Sequence, residues 1–256
     1  MEPILSIRDL SVRFGALLAV NDVSFDAHAG KITAVIGPNG AGKSSLFNLI
    51  SGAITPTKGR VLFEDKDVTG ASPDNMLKAG LSRSFQITNL FFELNVQENL
   101  RLAAQFLEQG HGLFRPLSAS TRANARVDEL IAQFGLQDKA HELAGYLSHG
   151  EQRRLEIAVS LAARPRMLLL DEPTQGMGHE DVERVTQLIK RVSANRTVLM
   201  VEHNMNVVAN IADTISVLQR GQVIAEGPYE VVSKNPQVLE AYMGSASEDL
   251  GGAHVG

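Results

Sequence analysis

The sequence predicts an α/β fold: a buried, mainly parallel sheet, an antiparallel β region before it and a helical subdomain inserted into it. Three observations lead there. Thr33–Ile36, Met167–Leu170 and Val198–Val201 are short apolar runs, the pattern of strands covered on both faces of a parallel sheet. Each runs straight into polar residues: a glycine-rich loop, Asp171-Glu172 and Glu202-His203. Ligands in open α/β sheets lie beyond the carboxyl ends of the strands, so the three strand ends predict one composite site.

The antiparallel region is read from Ile4–Ile7, Ser11–Phe14, Ala19–Phe25, Ile32–Ile36 and Arg60–Phe63, closely spaced β-like runs with an Ala29-Gly30 turn among them. Between about 87 and 160 the period changes. Val96–Leu107, Thr121–Phe134 and Glu151–Ala163 carry apolar residues three and four apart, as helices do. Gly110–Pro116 and Ser118–Ser120 read as loop. The expected organisation is a single domain with an α/β core over 1–86 and 161–244, a helical subdomain over 87–160, and a loose tail over 245–256.

Composition excludes several classes. With 256 residues, 44% hydrophobic and 21% charged, the chain is an ordinary globular one. Its net charge of −5 argues against a nucleic-acid partner, since phosphate contacts need a basic surface. It has no cysteine, which removes disulfides and thiolate metal sites and fits a reducing compartment. The segment MEPILSIRDL does not read as a secretion signal, and no apolar run approaches the roughly 18–20 residues that span a bilayer.

Gly37-Pro38-Asn39-Gly40-Ala41-Gly42-Lys43-Ser44 matches G-x-x-x-x-G-K-[ST]. Glycines let such a loop curl its N–H groups onto phosphate oxygens, and the following helix, about Lys43 to Ser51 with Gly52 as its stop, aims its positive end at the same point. Lys43 is expected to reach the β- and γ-phosphates, with Ser44 on Mg²⁺ and Ser45 beside it. A chance match in a chain of this length is on the order of 1%. The strand before the loop and the helix after it lower that further.

Asp171 stands where a carboxylate can hold Mg²⁺ through water, and Glu172 where one can orient and polarise an attacking water. His203 ends the third strand and is expected to contact the γ-phosphate. Gln86, in Ser84-Phe85-Gln86, is a candidate for sensing Mg²⁺ and the attacking water at the border of the helical region. Ser148 and Glu151, in Leu147-Ser148-His149-Gly150-Glu151-Gln152, form an S-x-x-E capping box, so a helix starts there with Leu155, Ala158, Val159 and Ala162 as its apolar stripe.

About twenty residues before Asp171, that segment resembles the LSGGQ signature of ABC ATPases. The order Phe14, phosphate loop, Gln86, signature, Asp171-Glu172, His203 is that family's order over about residues 4–244. The resemblance implies a P-loop NTPase (RecA-like) core in which Phe14 stacks on adenine. It also implies two domains packed head to tail around two ATP molecules, with Ser148 and Gly150 gripping the γ-phosphate held by the partner's loop. One chain has half of each site. Two positions depart from the pattern: His149 replaces the first signature glycine, and Gly178 stands where an Asp is usual after Asp171-Glu172.

Within the family, Gly80–Gln86, Leu90–Asn99, Leu155–Ala158, Ile224–Gly227 and Asn235–Gly244 resemble the LivG-type ATPases of branched-chain amino-acid importers. The resemblance implies ATP and Mg²⁺ as cofactors and a second ABC ATPase as partner, a heterodimer ahead of a homodimer. It further implies transmembrane permease subunits, a substrate-binding protein beyond them, and a peripheral location on the cytoplasmic face of the plasma membrane. ABC ATPases of iron–sulfur cluster assembly and of lipopolysaccharide export share the motif order and stay open as alternatives. A GTPase switch lacks its Asn-Lys-x-Asp motif here. Phe91 and Phe92 read equally well as subdomain core or as the lining of a partner groove.

Overall fold

The computed structural model describes residues 2–84, 90–105 and 121–242. Strands β1 (Pro3–Phe14), β2 (Leu17–His28), β4 (Lys58–Phe63) and β5 (Lys66–Asp67) make an antiparallel sheet in the order β2-β1-β4-β5. Strands β3 (Ile32–Ile36), β6 (Leu81–Ser84), β7 (Met167–Asp171), β8 (Thr197–Val201), β9 (Thr214–Gln219) and β10 (Gln222–Gly227) make the second sheet, ordered β10-β9-β3-β8-β7-β6. It is parallel from β6 to β9, and only β10 runs against its neighbour.

Helix α1 (Lys43–Ile50) follows β3, and α2 (Pro73–Ala79) precedes β6. Then come α3 (Val96–Ala104), α4 (Thr121–Phe134) and α5 (His149–Leu161). After β7 and β8 lie α6 (His179–Ser193) and α7 (Met205–Ile211), and α8 (Tyr229–Val232) follows β10; residues 236–242 are helical as well.

Every residue of β3, β7 and β8 is buried, and the two-residue period divides them between two cores. Ile32, Ala34, Ile36, Leu168, Leu170, Val198 and Met200 face the helices α3 to α7. Val35, Met167, Leu169, Leu199 and Val201 face α1 and the antiparallel sheet, where Leu46, Phe47, Leu5 and Ile7 meet them. The strands are therefore the middle layer of three. At roughly 1.5–3 kcal/mol for each fully buried aliphatic side chain, both faces anchor the strand ends that carry the polar residues.

The structure revises several expected elements. Ile4–Ile7 and Ser11–Phe14 are one strand, not two. Asp9, at φ 50, inserts a bulge between the pairs Ile7↔Phe25 and Leu10↔Val23, and buried positions switch from Leu5 and Ile7 to Leu10 and Val12. The bulge resets the alternation without ending the strand, because Asp tolerates the left-handed region. Ile32–Ile36 belongs to the parallel sheet alone. Helix α3 is described over Val96–Ala104, with Gln105 as its cap; the rest of the helix expected to Leu107 lies outside the described residues. Helix α5 covers His149–Leu161 rather than Glu151–Ala163, since the capping residue Ser148 sits directly before it. The loop expected over Gly110–Pro116 and Ser118–Ser120, and the tail over 245–256, lie outside the described residues.

Candidate nucleotide site

The glycine-rich loop leaves β3 and enters α1. Its tightness is steric. Gly37 has φ 151, and a Cβ there would lie 2.1 Å from the Leu218 carbonyl oxygen; Gly42 has φ 101, and its Cβ would lie 2.4 Å from that of Ala19. No side chain fits at either place. The Gly221 N–H donates to the Ala41 carbonyl at 2.8 Å, fastening the loop to the β9–β10 turn.

Lys43 is buried, and its Nζ donates to the carbonyls of Gly37 at 2.8 Å and Pro38 at 3.0 Å. Burial pushes its pKa below the usual lysine range, opposed by attraction to the carboxylates of Glu172 and then Asp171. Residues about 130 positions apart in the chain thus share one electrostatic neighbourhood, at the edge the strand pattern predicts.

Asp171 is 1% exposed. Its Oδ2 accepts from Arg83 at 2.8 Å, while its Oδ1 is buried without a hydrogen-bond partner among the described residues. Glu172 has φ 45, a strained backbone for a residue of its size, and its N–H donates to the Val201 carbonyl at 2.9 Å. His203 is exposed next to Glu202, which is completely buried. Glu202 Oε1 accepts from the backbone N–H groups of His203 at 2.9 Å and Asn204 at 3.0 Å, and its Oε2 accepts from the Thr174 hydroxyl at 2.8 Å.

The capping box at α5 is present as its sequence predicts. The Ser148 hydroxyl accepts from the Glu151 N–H at 3.3 Å, and the Glu151 carboxylate accepts from the Ser148 N–H at 2.8 Å. Ser148 and His149 are exposed, whereas Gly150 is buried against Asp181. One cleft joins His149 and Gln152 of this helix to Asp171, Glu172 and Gln175. Arg153 on α5 donates to the carbonyls of Asp171 at 2.6 Å and Pro173 at 3.1 Å, fixing the helix to that strand end. Gly178 caps α6 in extended conformation.

Phe14, at the end of β1, is 49% exposed, so its ring is open to a planar ligand. Phe91 and Phe92 are exposed too, at 60% and 42%, as is Tyr146, which follows Gly145, whose N–H donates to the Phe92 carbonyl at 3.1 Å. Gln86 lies outside the described residues. Sequence reasoning missed Arg83 and Arg153 as parts of the site, and it placed Glu202 at the strand end without its hydrogen bonds to Thr174, His203 and Asn204. It also missed the capping box of Asn95 and Glu98 at α3, although N-x-x-E is the same kind of signal.

Comparison with known families bears on this geometry. The model of the ABC transporter family matches residues 20–175, from the phosphate loop's approach through the signature to Gln175. The chain belongs to the ABC transporter family. A second model, described as branched-chain amino acid ATP-binding cassette transporter, matches residues 222–248 of this cassette. The high-affinity branched-chain amino acid transport ATP-binding protein LivG of Escherichia coli (strain K12) is 38% identical over 254 residues, covering 96% of this chain and 99% of that one. Among solved structures, the ADP conformation of an ATP-binding cassette of an ABC transporter matches with a TM-score of 0.83 at 31% identity, covering 95% of this cassette and 100% of that chain. A dimeric ATP-binding cassette in a post-hydrolysis state, bound to ADP and Pi, matches with a TM-score of 0.73 at 26% identity, covering 88% and 98%.

Proposed function

We propose that this cassette is the ATP-binding and ATP-hydrolysing subunit of an importer of branched-chain or related amino acids. The observation that carries the reading is the convergence of Lys43, Asp171 and Glu172 at the carboxyl edge of one sheet. The match of the tail segment to the branched-chain family, and the likeness to LivG over nearly the full chain, favour this cargo class over iron–sulfur cluster assembly or lipopolysaccharide export.

The loop from Gly37 to Ser45 would wrap the phosphates, Lys43 would exchange its carbonyl partners for phosphate oxygens, and Phe14 would stack on the adenine. The site suits Mg²⁺. Among the described residues, Asp171 supplies a buried carboxylate oxygen without a hydrogen-bond partner, which fits a cation held largely by phosphates and water. Ser44 and Asp171, with Gln86, would hold the ion, whose chemistry is to neutralise charge on the β- and γ-phosphate oxygens. Glu172 would accept a hydrogen bond from the attacking water and orient it in line, and His203 would bond the γ-phosphate.

Ser148 is engaged by its own capping box at an exposed helix N-terminus. That end suits the γ-phosphate of a second cassette, and the dimeric solved relative supports such pairing. The partner is a second ABC ATPase, a heterodimer ahead of a homodimer, beneath permease subunits that receive cargo from a substrate-binding protein. No helix among the described residues is long and apolar enough to cross a membrane. The likeness to transporter ATP-binding subunits supports attachment at the cytoplasmic face through the permease. Exposed Phe91, Phe92 and Tyr146 offer it an apolar contact face.

The test is the Glu172→Gln variant, with mass followed by light scattering and turnover by phosphate release. The expected result is retained ATP binding, a fall in turnover of about 100-fold or more, and a dimer formed on adding ATP and Mg²⁺, with this chain alone or with its partner cassette. Turnover at the wild-type rate overturns the role given to Glu172.

A further inference from the structure

Arg83 lies on β6, opposite Leu169 of β7. Side chains two apart on a strand share a face, so Arg83 stands on the same side of the sheet as Leu169 and Asp171. That side is packed on α1. Its side chain is 7% exposed, and its guanidinium is held from three directions. Nη2 bonds Asp171 Oδ2 at 2.8 Å. Nη1 bonds Asn48 Oδ1 at 2.7 Å and Ser51 Oγ at 2.9 Å. The group also lies over the Phe47 ring, 5.9 Å from its centroid. Asn48 and Phe47 belong to α1, and Ser51 caps it. One side chain therefore ties the Asp171 strand end to the helix whose first turn carries Lys43 and Ser44.

We propose that Arg83 is a positioning residue for metal binding: by holding Asp171 Oδ2 against α1, it fixes the carboxylate so that Oδ1 is kept for the hydration shell of Mg²⁺. The inference rests on the reading of Ser44 and Asp171 as the residues that hold the ion. A buried carboxylate with one oxygen tied and one without a protein partner is costly to keep, and a bound cation offsets that cost. A planar fork meets Asp171, Asn48 and Ser51 at once, whereas the ammonium of lysine is a compact point charge on a flexible stem. Partners that orient a metal ligand typically change metal affinity 10- to 100-fold when removed.

The experiment uses Mn²⁺ as the probe, read by its electron paramagnetic resonance signal, with ATP bound to the full chain in the Glu172→Gln background. Arg83→Met is expected to weaken Mn²⁺ binding about tenfold or more, while ATP affinity in EDTA stays within about twofold and circular dichroism shows a folded chain. Arg83→Lys restores part of the metal affinity. It is also the working variant if Arg83→Met does not fold, and is then expected to weaken Mn²⁺ binding severalfold. Asp171→Asn separates the two readings. If it weakens Mn²⁺ binding and folded Arg83 variants do not, the positioning role is overturned and the metal reading stands. If Asp171→Asn leaves Mn²⁺ binding unchanged, the metal reading fails and takes this inference with it.

Discussion

The Thr174 hydroxyl donates a 2.8 Å hydrogen bond to Glu202 Oε2, joining the segment after Glu172 to the strand end that carries His203. Glu202 is wholly buried and also holds the backbone N–H groups of His203 and Asn204. Replacing it leaves several donors without partners. Glu202→Ala is expected to lower unfolding free energy by about 3 kcal/mol, and Thr174→Val by about 1 kcal/mol, measured by urea unfolding. A double variant that costs less than the sum of the two confirms that they act as a pair.

Lys43 should report the arrival of phosphate. Its pKa in the folded chain is depressed by burial below the ordinary 10.5. While charged, the buried amine therefore costs stability, and the cost is relieved as pH rises through the depressed value. An adjacent polyanion raises that pKa again. ATP binding at alkaline pH, where part of the buried amine is neutral, is thus expected to take up protons, read by calorimetry in two buffers of different ionisation enthalpy. Lys43→Ala should remove the uptake and weaken binding about tenfold or more, the weight of a charge-assisted hydrogen bond.

Tyr242 is hydrogen-bonded to the backbone of Gly37, the first residue of the phosphate loop, and burial pushes its phenol up to about 12. A tyrosine raised in the fold favours the folded state below the ordinary phenol value and loses that contribution as pH climbs through about 12. Ultraviolet titration is expected to show a late phenolate that is absent in Tyr242→Phe.

At the start of the signature helix, a Cβ on Gly150 would lie 2.6 Å from the Asp181 side-chain carbon. Gly150→Ala is expected to cost about 1 kcal/mol, since the neighbour is a side chain able to shift in part. Adding Asp181→Ala should recover most of the loss in thermal unfolding.

What the sequence made legible is what depends on short range. The phosphate loop is a local pattern, the buried strands are local runs of apolar residues, and the Ser148–Glu151 box spans a single turn. The meeting of Lys43, Asp171 and Glu172 was legible at one remove, because parallel strands deliver their ends to one edge. Arg83 and Asp171 are 88 positions apart, and nothing local to either announces the pair. The Asp9 bulge was hidden for a different reason: a reset of alternation looks the same in sequence as a break between strands. Helix α6 carries a clear amphipathic pattern and could have been read.

Glu172 holds a left-handed backbone angle of 45° that its side chain does nothing to favour. Such strain costs on the order of 1 kcal/mol, and asparagine tolerates the same angle more easily. A library of this chain sorted only for heat resistance should therefore drift toward Glu172→Asn, and under the role proposed for Glu172 the cassettes it enriches survive longer but turn over little ATP. The tension between durability and work is written into one dihedral angle, and any effort to harden this protein has to leave that angle alone.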